Sequence, residues 1–348
     1  MTATRQDIRP FNRSGRTRQA GFGLVELMVS MLLGLILIGG VLSIFLSNQQ
    51  AFRSNEGLAR LQENARISFE LMAREIRETD GNQCGAKLVA NVVNDATDEW
   101  TTNWAEGPIR GYDKNQASPL VVPVGTASSN RVTNTAAVSI RLADANGAIT
   151  VVSHNATAAS FKLTTLTHGF VEGDIVMVCD NGSAAIFQIT NASTGTNDTV
   201  VHNTGTVTPG NCSKGLGYPT ICLGAVGNTK TFASGGVMAR IAPSFWYIGI
   251  NSRGGRSLYR KTKTATDEIA EGVRDMQIEY LQRDEATGLP DADWVSASSI
   301  TNWTSAASKQ VIAVRVTLDL ESLTKVGTNQ ATLKRQQIFV VNLRNRVI

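Results

Sequence analysis

The residue best suited to specific chemistry near the start of this chain is a single carboxylate, Glu26. It follows Gly21-Phe22-Gly23-Leu24-Val25 and precedes an uncharged run from Leu27 to Gln50. An ionised carboxylate inside a membrane-spanning helix costs about 2.5–3.5 kcal/mol on insertion scales. A buried carboxylate is tolerated where a cation compensates it, so Glu26 predicts an ion pair with a group outside the apolar run.

A short basic leader precedes this segment. The leader, Met1 to Gly21, contains five arginines and one aspartate. The whole chain has 33 basic and 29 acidic residues, and the chain without the leader has 28 of each. By the positive-inside rule the leader stays in the cytoplasm, and the C-terminal part of the chain lies across the membrane. The near-neutral remainder lacks a general electrostatic footprint for nucleic acid, so we expect no nucleic-acid partner.

A long helix must position Glu26. Leu27–Leu46 is a run of 20 uncharged residues, about the length that spans the hydrocarbon core, and no proline occurs between Pro10 and Pro108. We therefore predict one helix from Phe22 to about Glu78, with a membrane-spanning half at 22–50 and an amphipathic half at 51–84. The amphipathic half is predicted from apolar residues at steps of three and four, which are Leu58, Leu61, Ala65, Phe69, Met72 and Ile76.

Residues 85–348 are predicted to form a β-rich globular head. Strand-like segments arrive in runs without a second long helical pattern, which favours an α+β fold. Val311–Leu320 alternates between apolar and polar residues from position 313 onward, as in an antiparallel strand with one face on the core. The region 191–234 is rich in Gly, Asn and Thr and predicts long loops or an elaborated hairpin. The predicted strands are Leu120–Val124, Ala137–Leu142, Ile149–Ser153, Ser160–Thr165, Asp174–Cys179, Ala184–Thr190, Gly236–Ile241, Phe245–Ile250, Ser257–Thr262, Met276–Leu281, Val311–Leu320 and Gln336–Leu343.

Four cysteines, Cys84, Cys179, Cys212 and Cys222, lie beyond the membrane segment. An even number in an oxidising compartment favours two disulfides, with three possible connectivities, and the alternative is a set of free buried thiols. The short separation of Cys212 and Cys222 favours a local bridge, which leaves Cys84 at the end of the helix to pair with Cys179. The spacings contain no Cys-x2-Cys pair, so a zinc site is not expected.

Side chains with catalytic potential are few. His154, His168 and His202 fall in unrelated sequence contexts, and neither a zinc-protease motif nor a nucleophile elbow is present. The acidic positions within 284–293 lack the spacing of a calcium loop and indicate a solvated turn. Arg253-Gly254-Gly255 indicates a hairpin turn instead of a phosphate loop. We therefore predict no enzymatic activity, no metal and no cofactor.

The N-terminal pattern resembles the class III signal of type IV prepilins, in which a membrane peptidase cuts after the glycine and methylates the new N-terminus. The resemblance implies cleavage between Gly21 and Phe22, an N-methylated Phe22, and an assembly role for Glu26 as the fifth residue of the mature chain. The alternative is an ordinary single-span anchor with a chance glutamate. A secretory signal peptide fits less well, because its apolar region should precede the cleavage site.

Other segments resemble the PilW family of type IV minor pilins. They are Ser47–Asn64, Met72–Glu78 with Cys84, Gly173–Asp180, Ser257–Arg260, Glu271–Tyr280 and Phe339–Arg346. The resemblance implies a pilin-like head, in which the helix packs on an antiparallel sheet, and a minor pilin that helps to initiate a type IV pilus. It further implies a place at or near the pilus tip and roles in adhesion and twitching motility.

The same resemblance implies partners and a location. The partners would be a prepilin peptidase, other minor pilins, the major pilin, the inner-membrane assembly platform and a tip adhesin. The chain would cross the inner membrane of a Gram-negative bacterium once, with its head in the periplasm, and later stand on the cell surface in the pilus.

Two other functions remain open. A minor pseudopilin of a type II secretion system uses the same signal and helix, although such heads tend to be smaller. The chain could instead serve as a tip binding module for a surface, a glycan or DNA, in which case the loops of 191–234 are the place to look.

Overall fold

The computed structural model describes residues 21, 23–79, 84–86, 88–96, 99–114, 116–118, 121–205, 207–223, 226–326 and 331–346. Residues 1–20 of the leader and Phe22 therefore lie outside the described residues. The chain divides into two compact units, Met1–Arg53 and Ser54–Ile348.

One long helix, α1, runs from Leu24 to Glu78, as the sequence predicted. In the second unit it buries the predicted apolar stripe, with Leu61, Ala65, Met72 and Ile76 each at most 3% exposed. Leu58 does not follow that prediction and is 40% exposed. The reason is local, because the neighbouring Gly57 occupies the inward position of this turn and its backbone faces the side chains of residues 326 and 333.

The head is built mainly from β-strands and contains short 3-10 turns. The described strands are β1 (Leu88–Asn91), β2 (Ile109–Tyr112), β3 (Ala137–Ala143), β4 (Ile149–Asn155), β5 (Ser160–Leu163), β6 (Ile175–Asp180), β7 (Ser183–Gln188), β8 (Asn191–Ala192), β9 (Thr199–Val201), β10 (Val237–Ile250), β11 (Arg256–Lys261), β12 (Thr266–Glu271), β13 (Val273–Asp284), β14 (Lys309–Glu321) and β15 (Lys334–Asn342). The 3-10 turns are Trp104–Glu106, Ala145–Gly147, Ala297–Ser299 and Arg344–Arg346.

A twelve-stranded sheet forms most of the head, and β10 joins its two parts. The first residues of β10 pair with β4 and β6, whereas Ile241–Tyr247 pair with β3 and Phe245–Ile250 pair with β11. Around β4 to β9 the buried residues form a separate cluster that includes Phe161, Phe170 and Phe187. The long strand therefore connects the loop-rich part of the head to the part that contacts α1.

The second sheet has the order β13-β14-β15 and is antiparallel throughout. On β14 the side chains at 314, 316, 318 and 320 are buried, and those between them are only partly buried. This confirms the alternation predicted for Val311–Leu320. The buried face of this sheet and the apolar stripe of α1 belong to one hydrophobic cluster, which also includes residues of β3, β10 and β11. The fold is therefore the predicted α+β arrangement, a long helix packed on an antiparallel sheet.

Several predicted strands differ from the structure. The strand predicted at Leu120–Val124 is wrong over its described residues, 121–124. Val121 lies in a turn, residues 122 and 123 have no regular secondary structure, and Val124 makes only an isolated bridge with Arg131. The two strands predicted at 236–241 and 245–250 are one continuous strand, β10. Short strands such as β1, β2 and β12 were not predicted. The pair β1–β7 is parallel, an exception to the antiparallel pattern.

Candidate functional site

The predicted processing site lies at the start of α1. Gly21 is exposed, and a Cβ atom added to it would meet no other atom within 4 Å. Glu26 lies in the first turn of α1, where its backbone N–H donates to the Gly23 carbonyl at 3.0 Å. Because the positive end of the helix dipole favours a carboxylate in the first turn, the helix itself supports a negative charge at this position.

The first half of α1 presents an apolar surface on all sides. Its large side chains from Leu24 to Leu46 are at least half exposed, and Glu26 is the one charged residue in this stretch. Among the described residues, this is the one helix long and apolar enough to cross a membrane. A helix that is apolar all round belongs in a hydrocarbon environment or among other helices. This half is therefore suited to insertion in a bilayer and to packing against similar helices.

The second half of α1 is attached to the head through Glu75. The Glu75 carboxylate accepts hydrogen bonds from Trp246 Nε1 at 2.6 Å and from Ser244 Oγ at 2.5 Å, and it pairs with the Arg260 guanidinium at 2.5 Å. Trp246 is fully buried and the Glu75 side chain is only 13% exposed. These charge-assisted bonds fix the rotation of the helix against β10 and β11, because the donors come from fixed positions on the strands.

Apolar contacts continue the attachment along the helix. The ring of Phe69 stacks on that of Phe339 in β15, with centroids 4.2 Å apart and planes within 9°. Asn64 Nδ2 donates to the Glu271 carbonyl at the end of β12, at 2.9 Å. The helix is thus fixed at several points along its length in the head unit.

The C-terminal segment closes the end of α1. Asn345 Nδ2 donates to the Thr79 carbonyl at 3.1 Å and lies 3.4 Å from the Glu78 carbonyl oxygen. The last carbonyls of a helix have no N–H partner within the helix, so a side-chain donor that bonds to them stabilises the helix end. Arg346 is buried and donates to the Val311 carbonyl of β14. The end of the chain therefore connects the helix terminus to the central strand of the small sheet.

The four cysteines form two disulfides, Cys84–Cys179 and Cys212–Cys222. These are the pairs that the sequence favoured among the possible connectivities. The first joins the segment after α1 to β6 of the large sheet. The second closes a local loop of the region 191–234, which apart from β8 and β9 lacks described strands, as predicted.

Two of the histidines, which lie in unrelated sequence contexts, are in contact in the fold. His154 Nε2 and His202 Nε2 are 3.0 Å apart, and the His154 ring stacks on Phe161 with centroids 3.9 Å apart. The contact forms because β5 pairs with both β4 and β9, which brings residues 48 positions apart in the sequence to one place. Burial lowers the pKa of His154 to about 4 and that of His202 to about 3. The pair is therefore neutral at pH 7 and is enclosed by aromatic rings.

The remaining candidates have structural roles. His168 Nδ1 accepts from the Phe170 N–H, and its Nε2 lies 3.0 Å from the Asn197 carbonyl oxygen. Asp284 accepts two backbone N–H bonds in the turn after β13, and Asp291 pairs with a lysine at 2.9 Å. The turn predicted at 253–255 lies between β10 and β11. Among the residues that the structure describes, no three His, Cys, Asp or Glu side chains are grouped to hold a metal ion.

Sequence reasoning missed Glu75 and Asn345. A signal for Glu75 was present, because it lies three residues after Met72 and one before Ile76, at the margin of the buried stripe. Glu70 falls on the opposite side of the helix and is exposed. No comparable local signal marks Asn345, whose contacts with the helix end are 266 and 267 residues away along the chain.

Two family models match the chain. The prokaryotic N-terminal methylation motif matches residues 16–42, which include the leader end, Glu26 and most of the apolar run. The model described as type IV pilus-assembly protein W matches residues 245–342. That range begins in β10 and ends with β15, so it contains Trp246, Arg260 and the sheet on which α1 packs. No curated protein and no solved structure matches the chain significantly.

Proposed function

Since the chain belongs to the PilW family of type IV pilins and carries their prepilin signal, we propose that it is a minor pilin that helps to start pilus assembly. In this role it is built into the pilus at or near the tip and supports adhesion and twitching motility. The observation that carries the proposal is the two-part helix α1. One half has an all-round apolar surface with a single carboxylate, and the other is anchored in the head by Glu75.

The size of the head supports a position at the tip. The unit Ser54–Ile348 combines the helix-and-sheet core with a second group of strands around β4 to β9. At the end of a filament no further subunit stacks above the head, so such additional structure is accommodated there more easily than along the fibre.

The proposed location follows from topology and redox chemistry. The basic leader supports a head on the far side of the inner membrane, which would be the periplasm of a Gram-negative bacterium. Disulfides persist in that compartment, and the head has two. The proposed partners are the prepilin peptidase, the assembly platform, the major pilin, other minor pilins and a tip adhesin.

We also propose that the protein is an assembly component without enzymatic activity. The support comes from the histidines, the best general-base candidates in the chain. His154 and His202 face each other inside an aromatic cluster, and His168 bonds to the backbone. None of these arrangements presents an imidazole to a substrate.

Quantitative mass spectrometry of sheared surface pili tests the proposed function. We expect the chain to be present at far lower copy number than the major pilin, and we expect its deletion to reduce surface piliation. Unchanged piliation in the deletion strain, with the chain absent from sheared pili, would contradict the proposal. If protein secretion were lost instead, the chain would be a pseudopilin.

A further inference from the structure

The head contains a cavity whose lining includes no residue of α1. It has a volume of about 380 Å³ and is formed by β1, the turn around Trp104, the loop carrying Tyr218, and the segment 304–306. This volume lies in the range of small-molecule sites, about 300–1,000 Å³. We name it the Trp104 cavity. Three of its four walls lie outside the PilW match, and one of these three belongs to the region 191–234.

The lining of the Trp104 cavity contains no charged side chain among the described residues. Its polar side chains are the amides of Asn91 and Asn103 and the hydroxyls of Thr220, Thr304 and Ser305, and its two aromatic side chains are those of Trp104 and Tyr218. Amides and hydroxyls both donate and accept hydrogen bonds, whereas the ring faces offer apolar contact. A ligand that fits must be neutral, rich in hydroxyl groups and apolar on at least one face, which is the chemistry of a sugar ring.

The wall that carries Trp104 is fixed from behind. Arg141 is fully buried, and its guanidinium donates to the Trp100 carbonyl at 2.9 Å and to the Gly107 carbonyl at 2.8 Å. These two acceptors lie on either side of Trp104 in the chain. Asn91 Nδ2 donates to the Thr102 carbonyl at 2.8 Å and holds the same turn against β1.

The opposite wall is also held in place. The Asn91 backbone N–H donates to Thr220 Oγ1 at 3.0 Å, which leaves the hydroxyl proton of Thr220 available to a ligand. The disulfide between Cys212 and Cys222 closes the loop that contains Tyr218 and Thr220. A site whose walls are fixed before binding loses little conformational freedom when the ligand enters.

We propose that the Trp104 cavity binds one neutral sugar unit of a surface glycan or polysaccharide. The Tyr218 ring, which is 56% exposed, provides the accessible apolar face. Asn91 Nδ2 and Thr304 Oγ1 donate to neighbouring residues, so on these walls the hydroxyl of Thr220 is the donor and the oxygens of Asn91 and Thr304 are acceptors for a hydroxyl group of the sugar. This proposal is independent of the assembly role, because neither α1 nor Glu75 takes part in the cavity.

The test uses the full-length chain in a detergent without a sugar headgroup, such as lauryldimethylamine oxide. The probes are glucose, galactose, mannose and N-acetylglucosamine, with galacturonate as a charged comparison, measured by saturation-transfer NMR and calorimetry. We expect at least one neutral probe to bind saturably in the millimolar range, more tightly than galacturonate and with little dependence on salt. Tyr218→Ala should weaken that binding about five- to tenfold.

The matched control is Leu223→Ala, because Leu223 is 86% exposed and does not line the cavity. It should leave binding within about twofold of the wild-type value. Since both replaced side chains are exposed, the thermal unfolding temperatures of the two variants should equal that of the wild type. A difference in sugar affinity between the variants then reports on the cavity and not on folding. The proposal is overturned if no neutral sugar binds saturably or if binding is the same in Tyr218→Ala. It is also overturned if a neutral Gly-Ser-Thr peptide binds at Tyr218 and sugars do not compete with it.

Discussion

Two acidic side chains of α1 show that burial decides how much a single residue contributes to the stability of the fold. Glu75 is nearly buried and accepts hydrogen bonds from Trp246 and Ser244, whereas Glu70 is 56% exposed and pairs with Arg66 one turn away. Exposed pairs at this spacing contribute only about 0.3–0.5 kcal/mol. A buried donor left without its acceptor costs about 1–3 kcal/mol.

The first prediction follows from this difference. Glu75→Ala should lower the free energy of unfolding by about 2–5 kcal/mol, because it leaves the Trp246 indole N–H and the Ser244 hydroxyl without their acceptor. The control, Glu70→Ala, should change it by less than about 0.5 kcal/mol. Urea unfolding followed by tryptophan fluorescence measures both. Equal effects of the two variants would show that Glu75 does not anchor the helix.

The second prediction concerns the pH dependence of the His154–His202 pair. Burial lowers both pKa values, to about 4 and about 3, whereas an unfolded histidine titrates near 6.5. Below about pH 6.5 the unfolded chain therefore binds more protons than the folded chain. The pair's contribution to stability is thus fully present above pH 6.5 and is lost as the pH falls through 4 towards 3.

NMR of the imidazole nitrogens checks this expectation directly. The signals of His154 and His202 should not titrate between pH 8 and about pH 5, and the thermal unfolding temperature should fall as the pH drops below 6.5. Titration of both rings near pH 6.5 would mean that the pair is open to solvent.

At the scale of elements, the sequence predicted what depends on local periodicity. The helix α1 was predictable because an apolar run passes into a three-and-four spacing without an intervening proline, and β14 was predictable because it alternates. The short strands β1, β2 and β12 lack such a signal, since their pairing partners are distant in sequence. Leu58 was misplaced because spacing alone cannot show that Gly57 lies closest to the head.

Tertiary pairing explains the remaining differences at this scale. Two strands were predicted where β10 is continuous, and Pro243 lies in the segment between them. A proline normally marks the end or the edge of a strand, so the local sequence does not show that β10 continues through it. The His154–His202 contact likewise depends on the register of β5 with β4 and β9. Glu26 and the cysteines were identifiable in advance because a charge within an apolar run and an even set of thiols are visible without the fold.

The two disulfides give a third prediction. The Cys84–Cys179 bridge closes 95 residues and the Cys212–Cys222 bridge closes 10. In the chain-entropy model these loops correspond to about 4.7 and about 2.7 kcal/mol, because a longer loop constrains the unfolded chain more. Replacing both cysteines of the first pair with serine should therefore destabilise the head by about 2 kcal/mol more than the same change in the second pair.

Chemical denaturation of the full-length chain and its two double-serine variants, under non-reducing conditions, measures the difference. Peptide mapping of the wild-type chain confirms the pairing in exported protein. A larger loss for the Cys212–Cys222 variant would contradict the role assigned to the long bridge.

At the scale of the whole molecule, processing connects the leader to assembly. The N-terminal methylation motif covers the junction at Gly21, and we propose that cleavage there makes the next residue the new N-terminus. Gly21→Leu should block cleavage, because the peptidase must accept a small residue there. Intact-mass analysis of membrane fractions should show the wild-type chain starting at a methylated Phe22 and the variant retaining its leader. A wild-type chain that keeps its leader would contradict the processing step.

We propose that the freed amine also supplies a cation for Glu26. A carboxylate in an apolar environment is stabilised by a nearby ammonium group, and the amine of Phe22 in this or a neighbouring subunit is the candidate. Because the pair forms only in register, it would fix the axial position of one helix against another as a subunit docks. Glu26 would then act in assembly and not in membrane insertion, because a neutral residue at this position would make insertion easier.

Incorporation of a Glu26→Ala chain into surface pili tests this account most directly. Its control is Glu56→Ala, which removes an exposed acid farther along the same helix. The quantity to measure is the amount of each chain in sheared pili, relative to the processed chain in the membrane. We predict that Glu26→Ala is cleaved and inserted normally but is depleted from pili, whereas Glu56→Ala is incorporated like the wild type. Normal incorporation of the processed Glu26→Ala chain would contradict the pairing role and the assembly mechanism that depends on it.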